Sequence, residues 1–144
     1  MTPLLITAVA IVVAIGLATL VGWLMKRRSG VLRATIDPGD DDSADLDTSD
    51  LGLSATGPTI VHFSADWCGP CAGVRRVVDQ VCDDLVQVAH VEIDMDANPA
   101  AARRLSVLSL PTTFIFDAGG RLRYRTSGVP KAADLRSALE PLLA

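Results

Sequence analysis

The sequence predicts an α/β domain with one mixed sheet and helices on both faces, preceded by a separate apolar helix. Three observations carry this reading. Strand-like and helix-like stretches alternate from Thr59 onwards; a short turn, Asp117-Ala118-Gly119-Gly120, joins two of the strands; and no charged side chain occurs between Thr2 and Met25.

The first element is the run from Leu4 to Met25. As a helix it is about 33 Å long, enough to span the hydrocarbon core of a bilayer. Trp23 stands near its charged end, where an indole suits the headgroup layer. A cleaved signal is the competing reading, but the charges follow the apolar run and do not precede it. Lys26, Arg27 and Arg28 form the flank. The positive-inside rule then predicts a single-pass cell-membrane protein whose C-terminal domain faces the cytoplasm. Residues 26–50 read as this basic flank and an acidic linker. Seven aspartates and no base lie between Asp37 and Asp50; like charges extend such a chain, and Pro38-Gly39 breaks a helix.

Residues 51–144 are the globular part, with nine basic and ten acidic side chains. Thr59 to Ser64 (TIVHFS) reads as a buried strand after the Gly57-Pro58 break. From about Pro70 to Val86, apolar residues Val74, Val77, Val78, Val81, Cys82 and Leu85 recur at helical spacing. Gln87 to Asp94 reads as a second strand, Pro99 to Leu105 as a short helix and Thr112 to Phe116 as a third strand. Arg121 to Thr126 is a fourth strand stopped by Gly128. Pro130 to Leu143 closes the chain as a helix whose last turn Pro141 loosens. The order β-α-β-α-β-β-α implies two parallel crossovers and one hairpin.

Composition narrows the function. A net charge of −4 excludes a strongly basic nucleic-acid-coating protein. Three cysteines and two histidines leave little for a metal cluster, and an odd cysteine count speaks against a scaffold held only by disulfides. The chemistry concentrates in Trp67-Cys68-Gly69-Pro70-Cys71. Two cysteines three apart at a helix start can meet across one turn. The first sits where free backbone N–H groups and the helix dipole favour a thiolate. Cys68 is therefore the expected attacking thiol and Cys71 the shielded resolving one. A zinc site needs a second ligand pair. Cys82, about 16 Å further along the same helix, cannot close a compact cluster and reads as apolar filler.

WCGPC, the preceding strand TIVHFSAD and the segment Leu110-Pro111-Thr112 resemble the thioredoxin family over residues 51–144. The resemblance implies a thioredoxin-like fold and a protein-disulfide reductase working through its dithiol, with no cofactor and no metal. It implies that Pro111 is cis and faces the cysteines, that Leu110 offers backbone groups to an extended client, and that Trp67, Gly69 and Pro70 rim Cys68. The implied partners are disulfide-containing client proteins and a reductase or other dithiol donor; the apolar run adds the bilayer through residues 4–25, and the charge balance points to no nucleic acid. Two alternatives share the fold: an extracytoplasmic protein for disulfide reduction or cytochrome maturation, and a non-catalytic adaptor.

The chain departs from the family at several positions. His62 stands where the family commonly has a buried acid, and His90 where a lysine often accompanies it. Ser64 replaces a tryptophan and Arg76 a helix-kinking proline. His62 is either a hydrogen-bonded core histidine or a proton carrier for Cys71, with His90 as its possible partner.

Overall fold

The computed structural model describes residues 3–27, 30–35 and 46–144. The elements are α1 (Pro3–Arg27), β1 (Arg33–Ala34), β2 (Thr59–Ser64), α2 (Cys71–Asp84), β3 (Ala89–Asp94), α3 (Pro99–Arg104), β4 (Thr112–Phe116), β5 (Leu122–Ser127) and α4 (Ala132–Leu139), followed by a 3-10 turn, Glu140–Leu142. Residues 37–45 of the acidic run, and Arg28 of the basic flank, lie outside the described residues.

Five strands form one sheet in the order β1-β5-β4-β2-β3. β2 is buried along its whole length because it has a strand on each side and helices or chain over both faces. Its side chains alternate between two cores. Val61 and Phe63 face one with Phe114, Phe116, Leu51 and the α3 residues Ala101 and Ala102. Ile60 faces the other with Ile115, Val74, Val78 and Val81 of α2 and Leu135 and Leu139 of α4. Helices thus cover both faces of a mixed sheet. The α2 valines are weak helix formers, so the burial of this apolar stripe carries the helix.

One expected pairing is corrected. β2 and β3 are parallel, as a β-α-β crossover requires. The second expected crossover does not make a parallel pair: β4 runs antiparallel to β2 and does not pair with β3. The reason is length. Of the seventeen connecting residues 95–111 only the six of α3 are helical, and a helix that rises about 9 Å does not span a strand of about 20 Å. The chain therefore re-enters the sheet at the end it left, which places Pro111 beside the C-terminal end of β2.

Inside the segment read from sequence as flank and linker, the structure has an edge strand. Arg33 and Ala34 pair with Arg125 and Tyr124 of β5, and Leu32 packs on the α2–α4 core. Gly30 is buried at φ +86°, donates its N–H to the Ser127 carbonyl at 2.6 Å, and sits so close that a Cβ would lie 2.3 Å from the Val129 oxygen. Only glycine suits that position.

Among the described residues, α1 is the one helix long and apolar enough to cross a membrane, and none of its residues is buried. A signal sequence meets the same description.

Candidate functional site

The site forms where β2 ends. Ala65 accepts the N–H of Cys68 at 3.0 Å, and Cys68 accepts that of Cys71 at 3.3 Å, so the chain turns tightly through Gly69 and Pro70 into α2. Pro70 is the N-cap and Cys71 the first helical residue. Cys68 therefore precedes the helix, in front of its amino end, where the dipole is positive. The missing N–H of Pro70 costs nothing at that position.

Cys68 and Cys71 are joined in a disulfide with Cα atoms 5.5 Å apart. Their burial differs in the expected sense: Cys68 is 9 % exposed and Cys71 2 %. Trp67 is 66 % exposed, its indole N–H donating to Asp96 Oδ2 at 3.0 Å; Gly69 and Pro70 are exposed beside it. Leu110 packs directly against the pair, and the Leu110–Pro111 bond is cis. The Pro111 carbonyl accepts the Gly128 N–H at 2.9 Å, which fixes the end of β5 to this loop. Val129 follows, partly exposed and in contact range of Gly73 on α2. The sequence did not mark Val129, since only the docking of β5 on the Pro111 loop brings it here.

A cavity of about 570 Å³ opens beside the disulfide, lined by Cys68 and Cys71 together with Ser64, Arg75, Glu92 and Asp94. Glu92 and Arg75 were also not marked by the sequence. Arg75 donates to both Glu92 carboxylate oxygens, at 2.8 and 2.5 Å. Those bonds hold the Glu92 carboxyl down at about 2, with smaller help from the Ser64 hydroxyl and His62.

His62 and His90 come together behind this cavity. His62 is fully buried, and its Nδ1 lies 2.8 Å from His90 Nε2. Burial pushes the His62 imidazole down to about 4; Glu92 opposes the shift, while His90 and Arg75 reinforce it. Burial lowers His90 as well. A folded pKa below the unfolded value of 6.5 means that the unfolded chain binds the extra proton first. Stability is therefore full above about pH 6.5 and falls as the pH drops towards 4. The loss from His62 should be on the order of 3 kcal/mol. Denaturant titration at pH 7.5 and 4.5 should show it, and His62→Leu should flatten the slope in that window. An unchanged slope in His62→Leu counts against the assignment. Glu92 acts separately, between its ordinary 4.5 and about 2.

Cys82 is half-buried against the α2–α4 core. Burial and the nearby Asp79 and Asp83 push its thiol up, away from reactivity.

The same arrangement occurs in known proteins. The Thioredoxin family profile matches residues 49–141. A thioredoxin of Mycolicibacterium smegmatis is 37% identical over 105 residues, 71% of this chain and 90% of its own length. A bifunctional thioredoxin reductase/thioredoxin of Mycobacterium leprae is 36% identical over 85 residues, 58% of this chain and 19% of that protein. Among solved structures, a mutant thioredoxin from Halobacterium salinarum superposes with a TM-score of 0.57 at 30% identity, covering 63% of this chain and 79% of that one. Chloroplastic thioredoxin z gives 0.54 at 36% identity, covering 60% and 79%. A paired CxxC at the head of α2, in this sheet and with relatives of this closeness, leads to one conclusion: the chain belongs to the thioredoxin family of thiol–disulfide oxidoreductases.

Proposed function

We propose that the protein is a membrane-tethered protein-disulfide reductase, with Cys68 attacking client disulfides and Cys71 resolving the intermediate. The observation that carries the roles is the placing of Cys68 in front of α2, with the more buried Cys71 inside its first turn. An anionic sulfur is stabilised at Cys68. It attacks one sulfur of a client disulfide, forming a mixed disulfide and releasing a client thiolate. Cys71, as thiolate, then attacks Cys68; the bond to the client breaks and its second sulfur leaves reduced. Trp67, Gly69, Pro70 and Leu110 supply an apolar, backbone-rich rim at which an extended client can lie, with cis Pro111 turning the loop towards the sulfurs. Gly-Pro between the cysteines is the pairing of the family's reducing members, which favours reduction.

The membrane reading rests on the length and composition of α1 and on its basic end, Lys26 and Arg27. The same basic end favours a cytoplasmic domain, where electrons can be resupplied. A thioredoxin-reductase-like dithiol is the donor this reading requires; the fused reductase of the M. leprae relative supports it. The alternative sidedness gives the opposite outcome in one experiment. An alkaline phosphatase fused after Ala144 should be inactive, and a green fluorescent protein at the same place should be bright. An active phosphatase assigns the domain to the extracytoplasmic side.

A further inference from the structure

The polar cluster behind the disulfide has more proton sites than a single buried histidine needs. β2 and β3 place His62 opposite Glu92 and Ile60 opposite His90, and α2 covers them with Arg75 and Asp79. β4 contributes only the uncharged Thr113 opposite His62. The ring and carboxylate atoms form a continuous line. Glu92 Oε1 lies 3.5 Å from His62 Nε2. His62 Nδ1 lies 2.8 Å from His90 Nε2. His90 Nδ1 lies 3.4 Å from Asp79 Oδ1. The inner end, Glu92, lines the cavity that holds Cys68 and Cys71. The outer end, the Asp79 side chain, is 61% exposed.

Proton counting gives this line a function. Two neutral imidazoles carry one N–H each, but the line has a gap at each end and one between the rings. The central gap must hold a proton, because two nitrogen lone pairs facing at that distance repel. The empty gap is therefore at one end. Outward transfer starts from the tautomer whose inner gap is empty, with His62 Nε2, buried and without a hydrogen-bond partner, as the accepting atom. A proton arriving at Nε2 lets the Nδ1 proton pass to His90 Nε2 and the His90 Nδ1 proton leave at Asp79. Both rings end neutral with their tautomers exchanged.

We propose that His62 and His90 form a two-ring proton wire, with Glu92 at its inner and Asp79 at its outer end, carrying the proton lost by Cys71 from the redox cavity to solvent beyond α2. This rests on Cys71 being the resolving thiol. When Cys71 gives up its proton, its thiolate attacks Cys68, the Cys68–client bond breaks, and the client thiolate leaves. Two enzyme thiols are oxidised and one client disulfide is reduced. Arg75 keeps Glu92 ionised, so Glu92 passes the proton on and does not retain it. Glu92 hands the proton to His62, the two rings relay it, and Asp79 receives it at the exposed end.

The test uses the reduced full-length chain in lipid nanodiscs and a bis(nitrobenzoate) aromatic disulfide. The first coloured thiolate reports attack by Cys68, the second attack by Cys71. His90→Gln keeps a polar side chain but cannot relay a proton. It should slow the second release roughly tenfold, flatten the pH profile of that step and leave the first release unchanged. Asp79→Asn, at an exposed site with little risk to folding, should act in the same direction more weakly, and Asp79→Glu should restore the rate. Unchanged second-phase rates and pH profiles in His90→Gln and Asp79→Asn overturn the wire. Equal slowing of both phases overturns it as well. A wild-type chain that releases only one equivalent overturns the resolving role of Cys71, and the wire with it.

Discussion

Cys68→Ser should reduce insulin-disulfide reduction to the uncatalysed rate, while Cys71→Ser should accumulate covalent mixed disulfides with clients. Hydroxyl in place of thiol removes the one described cysteine sulfur that stands in front of the positive end of α2. No other described cysteine can substitute, since Cys82 is half-buried in a different core and its thiol is pushed up. With Cys71 replaced, the first step still runs, but the attacking group for the second is gone. The adduct then persists until an external thiol removes it. Non-reducing electrophoresis with mass spectrometry of the adducts separates the two variants. Equal trapping by both would reverse or abolish the role assignment, and full activity of Cys68→Ser would favour a docking adaptor.

Phe114→Ala should cost about 4 kcal/mol of stability, the largest loss expected from a single truncation here. Phe114 is completely buried on β4. Its ring meets Phe63 edge-on at 5.9 Å and tilts against Phe116 at 6.4 Å, and the Arg125 guanidinium lies 5.2 Å over it. Removal leaves a cavity at the centre of the sheet that β-strand neighbours cannot close without breaking the ladder. The denaturation midpoint should fall with little change in slope, and Phe114→Leu should recover part of the loss. Phe114 does not touch the disulfide, so turnover of the folded fraction should persist. A midpoint within 1 kcal/mol of wild type, taken as roughly the cost of the mildest core change, would mean that this face is far more plastic than its packing indicates.

The sequence made some of this architecture readable and concealed the rest for identifiable reasons. TIVHFS announced β2 because a strand buried on both faces needs continuous apolar and β-branched residues. The paired cysteines and the Pro111 segment were readable because their chemistry lies within a few consecutive residues. The antiparallel run of β4 was hidden: alternation shows that a strand exists but not its direction, and the brevity of α3 was the overlooked clue. β1 was invisible because Arg33 and Ala34 have no strand character of their own and take it from β5. The Glu92–Arg75 pair and Asp79 required the register of β2 on β3 and the seating of α2. The spacings alone, Arg75 to Asp79 on a helix and His90 to Glu92 on a strand, put each pair on one face. They could not say that the faces meet beneath a disulfide.

If α1 serves as the proposed membrane anchor, the docking of Gly30 onto Ser127 limits how far the domain can travel from it. Only Arg28 and Ser29 separate α1 from Gly30, so the leash between the Cα atoms of Arg27 and Gly30 is at most about 11 Å. With α1 in a bilayer, a domain of this size, about 35 Å across, would hold the sulfurs in a shallow layer over the lipid. Clients would then be sampled by lateral diffusion, at the high local concentration that short leashes create, and disulfides far from the surface would go unserved.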